Sequence, residues 1–216
     1  MISCFKKACD PVSSYTHFIG ACLSFLGLIT FVILGINDNS SLLSMFGCIV
    51  FGFALILLYS ASSFYHFFNG KESIKKMLRK LDHSMIYILI VGTYTPVTLA
   101  FVEFNHAIIF LTILWSIAIL GIVIKLCWMN APRFISTFIY LALGWAIIFD
   151  IKAFSFIPFQ CLSLIALGGI SYSIGAIIYI IKKPNISQTF GFHELFHIFV
   201  MVGSFMHYLA VVLYVL

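Results

Sequence analysis

Charge is scarce in this chain: Asp, Glu, Lys and Arg together make up 9% of its 216 residues, against about 25% in a soluble domain. Acid is scarcer still, with only seven Asp and Glu. Such a sequence has too few polar residues to cover a water-facing surface, which excludes a soluble globular domain. Alternating ten-residue apolar and polar segments are also missing, which excludes a transmembrane barrel. The six cysteines (Cys4, Cys9, Cys22, Cys48, Cys127, Cys161) contain no C-x-x-C pair, and four lie in or beside apolar runs, so no disulfide framework is expected. No basic patch is interleaved with aromatics, and nucleic acid is therefore not an expected partner.

What the chain does have is apolar length. Hydrophobic residues reach 62% and mean hydropathy is +1.13. Apolar runs fall at about 15–36, 42–66, 82–101, 106–128, 134–150, 157–181 and 191–214, each near the ~20 residues a helix needs to cross a bilayer. The expectation is an all-α integral membrane bundle of seven transmembrane helices, one domain over 1–216, with the fifth span the shortest. The first run, from about His17 to Ile36, exceeds a signal-peptide core and lacks an A-x-A cleavage site, so it reads as a retained span. Connections such as Asn37 to Ser41 are brief, which makes consecutive helices antiparallel neighbours.

Basic residues orient the bundle. With the N-terminus in the cytoplasm, Lys6, Lys7, Lys71, Lys75, Lys76, Arg79, Lys80, Lys125, Arg133, Lys182 and Lys183 lie inside, and only Lys152 lies outside. Seven spans then put the C-terminus outside. The charged stretch Asn69 to Leu81, with Ile74, Met77 and Leu78 among its lysines, reads as a short amphipathic helix on the inner leaflet. Pro96 is expected to kink the third span.

The polar residues within these spans are not scattered. Span seven opens Gly191-Phe192-His193-Glu194-Leu195-Phe196-His197, and histidines four apart stack on one helix face. Span two ends at His66 with Ser62 one turn above it, and span three opens with Asp82. All five fall at the cytoplasmic depth. Polar groups are costly in a bilayer, so intramembrane histidines are functional candidates. Three imidazoles, His66, His193 and His197, suit a tetrahedral Zn2+ that keeps one position for water, as catalytic sites do. Asp82 is placed to take or orient that water's proton, and Ser62 to donate to a carbonyl oxygen under attack. These parts describe hydrolysis of an amide or ester.

The same string reads His-Glu-x-x-His, the pattern of zinc proteases in which the Glu is general base. That reading lacks a third ligand: downstream, His207 is about 15 Å farther along the helix. His17 opens span one as either a partner of the cluster or an interfacial residue, His207 is a candidate to line an internal cavity, His83 points about 100° away from Asp82, and His106 lies at the opposite membrane face.

Ser-x-x-x-His (Ser62, His66), the Asp after Leu81, and the His193/His197 pair resemble the signature of the hemolysin III family, which is grouped with the progestin and adiponectin receptors and more distantly with alkaline ceramidases. Gly92-Thr93-Tyr94-Thr95-Pro96, Gly144-Trp145, and Gly169, Tyr172, Gly175 and Tyr179 extend the resemblance over nearly the whole chain. It implies a seven-helix bundle with zinc held by His66, His193 and His197, with Asp82 near the zinc-bound water and Ser62 beside it. Glu194 then becomes incidental. Hydrolysis of ceramide-like lipids is the activity implied by the relatives, and cytolysis the traditional label for bacterial members. The alternatives are a non-enzymatic cytolysin or pore, and a lipid-sensing receptor, each with a structural metal. A membrane lipid is the expected substrate or ligand.

Overall fold

The computed structural model describes residues 3–128, 132–187 and 189–216, with the backbone alone at residues 3 and 133. Among these described residues seven α-helices form: α1 (Pro11–Asn37), α2 (Leu42–Phe67), α3 (Glu72–Phe101), α4 (Phe104–Cys127), α5 (Arg133–Gly144), α6 (Phe159–Ile181) and α7 (Phe192–Tyr214). Short 3-10 helices precede α1 (Ser3–Lys7) and follow α5 (Ala146–Asp150). Among the described residues there is no strand. All but α5 are long and apolar enough to cross a membrane. The twelve residues of α5 rise roughly 18 Å and the five-residue 3-10 segment adds about 10 Å. The two together approach the ~30 Å of a hydrocarbon core.

Helix starts follow local chemistry. Pro11 takes the first position of α1, where its missing N–H costs nothing. Ser41 Oγ accepts from the Ser44 N–H at the head of α2, 3.0 Å. Glu103 accepts from the N–H groups of Asn105 and His106 before α4, and these donors hold its carboxyl below the ordinary carboxylate range.

The charged stretch before the third span is not a separate surface helix. It forms the first turns of α3, which runs unbroken for 30 residues, about 45 Å and so longer than the hydrocarbon core. Pro96 lies inside α3 without ending it.

Packing inverts the soluble pattern. Leu23, Phe25 and Leu26 of α1 and Ile109, Ile113 and Leu120 of α4 face outward, as lipid requires. The buried stripe of α1 is Ser13, His17, Gly20, Ser24, Gly27, Phe31 and Gly35. Small residues let helix backbones approach closely where lipid supplies no hydrophobic drive to association. Gly47 of α2 shows this: a Cβ there would stand 2.6 Å from the Pro96 Cα of α3. Consecutive helices pack on one another and α1 also meets α7, which closes a ring around an internal cavity of about 400 Å³ lined from all seven helices.

Candidate metal centre

His66 stands in the last turn of α2, and His193 and His197 in the first turns of α7. Closure of the ring between α1, α2 and α7 brings them together: one ligand nitrogen from each lies within 4.8 Å of the others. His66 Nε2 and His193 Nε2 are 3.2 Å apart. Ligands held ~2.0–2.1 Å from a tetrahedral ion stand roughly 3.3 Å from one another, so this spacing fits a zinc-sized ion. His66 and His197 are almost fully buried and His193 partly so. This three-histidine cluster could hold a metal ion.

Asp10, at the N-cap of α1, was not among the expected site residues. Its Oδ2 accepts from His66 Nδ1–H at 2.9 Å, which fixes the tautomer and turns the Nε2 lone pair toward the cluster, as carboxylate partners of metal-ligating histidines do. The peptide N–H of Asp10 donates to the His66 carbonyl at 3.0 Å, so the two residues are joined twice. The hydrogen bond from His66 holds the Asp10 carboxyl below the ordinary carboxylate range, against partial burial, which pushes it up. The available signal was an acid immediately before a Pro-initiated helix at the depth of the histidines.

Asp82 and Ser62 lie on α3 and α2, and both line the cavity with His193 and His197. His83 Nδ1 is 3.3 Å from Asp82 Oδ2 of the preceding residue but has no hydrogen-bond partner among the described residues. His17 is not interfacial. It is 3% exposed, stacks on His197 with ring centroids 3.7 Å apart, and has no hydrogen-bond partner at either nitrogen among the described residues. His207 lines the cavity farther in. His106 pairs with Asp150 beside the short 3-10 segment, away from the cluster.

Glu194 is not incidental. Its Oε1 accepts from Ser13 Oγ of α1 at 2.9 Å and its Oε2 from the Gly191 N–H at 2.8 Å. Both oxygens accept hydrogen bonds that cap α7 and tie it to α1, a structural role for Glu194.

Comparison with known proteins agrees with the resemblance. The chain is 36% identical to the hemolysin-3 homolog of Bacillus subtilis over 95% of its own length and 93% of that protein. It is likewise 36% identical to hemolysin-3 of Bacillus cereus, over 96% and 92%. The adiponectin receptor protein of Drosophila melanogaster is 24% identical over 95% of this chain and 50% of the receptor. No solved structure gives a significant match. The family model described as Haemolysin-III related matches residues 5–208, and with six long apolar helices the chain is a multi-pass bacterial membrane protein that belongs to the haemolysin-III-related family.

Proposed function

We propose that the protein is a zinc-dependent hydrolase of lipid amide or ester bonds, working at the cytoplasmic leaflet. The observation that carries this reading is a three-nitrogen cluster two of whose members, His193 and His197, line one apolar cavity together with an aspartate, Asp82. His66, His193 and His197 would hold the ion. Bound zinc supplies a water acidic enough to ionise near neutral pH. Asp10 orients His66, Asp82 would take the proton of the attacking water and return it to the departing amine or alcohol as the acyl bond breaks, and Ser62 donates to the carbonyl oxygen as negative charge develops there. The cavity takes the acyl chain and keeps bulk water from the reacting carbonyl.

The test joins metal analysis of purified protein to a lipidomic turnover assay on wild type and Asp82→Ala. Bound zinc in both, with turnover falling about 10²-fold or more in the variant, is the expected result for loss of a positioned base. Zinc bound without turnover of any lipid would favour the other reading, a lipid sensor with a structural metal, with which the adiponectin receptor relative is compatible.

A further inference from the structure

Lys125 stands in the last turn of α4, where a lysine of a membrane helix ordinarily extends toward headgroups and water. Here it turns inward. It is 5% exposed, lines the same cavity as the histidines, and donates to a neutral partner, Ser136 Oγ of α5, at 3.0 Å. Arg79 of α3 also lines the cavity and lies within electrostatic range of Lys125. Two like charges therefore share one opening between α3, α4 and α5.

No carboxylate of the chain forms an ion pair with either of them. All seven acids are among the described residues. Asp10 is bound to His66, Glu72 pairs with Lys76, and Asp150 with His106. Glu103 and Glu194 cap helices, and Asp38 follows α1 at the opposite end of the bundle from the histidines. Asp82 lies 3.3 Å from Nδ1 of its neighbour His83 and, although it feels Arg79, forms no ion pair with it. Among the described residues no ion pair reaches Lys125 or Arg79. A buried ammonium without a counter-ion is strongly disfavoured, so the opening has room in its charge balance for an anion brought from outside.

We infer that this opening is a subsite for the phosphate of an anionic phospholipid, held by Lys125 and Arg79 with the Ser136 hydroxyl. A flat carboxylate is matched by the two parallel donors of a single guanidinium. Here the donors come from three helices around one opening, which suits a tetrahedral group presenting several oxygens. Behind them the cavity wall is apolar, with Ile86, Ile90, Leu141 and Ile148, which suits a chain attached to that phosphate. The inference rests on the reading of the cavity as a lipid pocket and adds the headgroup charge. It does not depend on hydrolysis.

The experiment follows thermal unfolding of the purified protein in neutral detergent with EDTA, titrated with three probes: twelve-carbon lysophosphatidylglycerol, monoacylglycerol of the same chain, and inorganic phosphate. The lysophospholipid should bind wild type about tenfold or more tightly than the monoacylglycerol, the ratio expected for a charge-assisted hydrogen bond. Inorganic phosphate should not displace it. Lys125→Met and Arg79→Gln should each shrink the preference, and Lys125→Arg should keep it. Equal binding of the two amphiphiles by wild type would overturn the proposal, as would an unchanged preference in both charge-removing variants. Displacement by inorganic phosphate would assign the site to a free anion instead. If Lys125→Met fails to fold, the wild-type comparison and Arg79→Gln still decide. Because EDTA is present, a failed hydrolase reading leaves this result standing, while lipid turnover without headgroup preference would overturn this inference alone.

Discussion

Asp10 and His66 are 56 residues apart, yet the carboxylate and the ring nitrogen meet at 2.9 Å. Removing the acceptor frees the imidazole to rotate and to exchange tautomers, so Asp10→Ala should weaken metal affinity about 10- to 100-fold with the bundle intact. Competition against a chromogenic chelator measures this directly, and an unchanged affinity would leave the Asp10–His66 contact a tie between α1 and α2 only. His17 makes the contrasting case. Its ring covers the face of His197, but its nitrogens do not join the three that cluster. His17→Phe keeps that flat cover and should keep one metal per chain, whereas loss of metal would make residue 17 a ligand. The His66, His193 and His197 set was legible because spacing and span direction alone give depth. The Asp10 contact was not, since it depends on how the chain before α1 folds back onto the end of α2.

Helices were legible wherever apolar length and helix length coincide, as in the expected 42–66 against Leu42–Phe67 and 191–214 against Phe192–Tyr214. They diverge in α3, where the expected span of 82–101 is only the apolar part of Glu72–Phe101. Backbone hydrogen bonds do not stop where lipid stops, and Lys, Glu, Met and Leu continue a helix readily. What apolarity cannot reveal is which small residues carry an interface. Gly47 packs against the backbone of Pro96, which cannot give as a flexible side chain would, so Gly47→Ala should push α2 and α3 apart and cost about 1–3 kcal/mol. A Cβ at Gly144, the last residue of α5, meets nothing within 4 Å. Gly144→Ala should leave Tm in detergent nearly unchanged, and equal Tm losses in the two variants would refute this account of the α2–α3 contact.

Across the whole molecule the two ends of the bundle differ. One end carries the histidines and the Lys125–Arg79 opening. At the other, the chain is fastened by Ser40 Oγ donating to the Leu216 carbonyl at 3.1 Å and by the His106–Asp150 pair. Between them α5 gives way to its 3-10 segment at Trp145, held by Trp145 Nε1 donating to Ser173 at 3.0 Å and by Tyr94 Oη donating to the Gly144 carbonyl at 2.6 Å. The cavity beside this break is large enough for a lipid chain, and its wall is largely apolar. Ala166 of α6 faces it and is only half buried. Ala166→Trp should fill much of the space while leaving Asp10, His66, His193 and His197 untouched. The expected outcome is full metal content, with turnover of long-chain lipid amides or esters falling about tenfold or more, because the chain can no longer bring its carbonyl into a reactive position, and with short-chain esters much less affected. Equal loss on long and short substrates would mean that the chain does not lie in this cavity. Unchanged turnover of both would place the reacting lipid elsewhere on the protein.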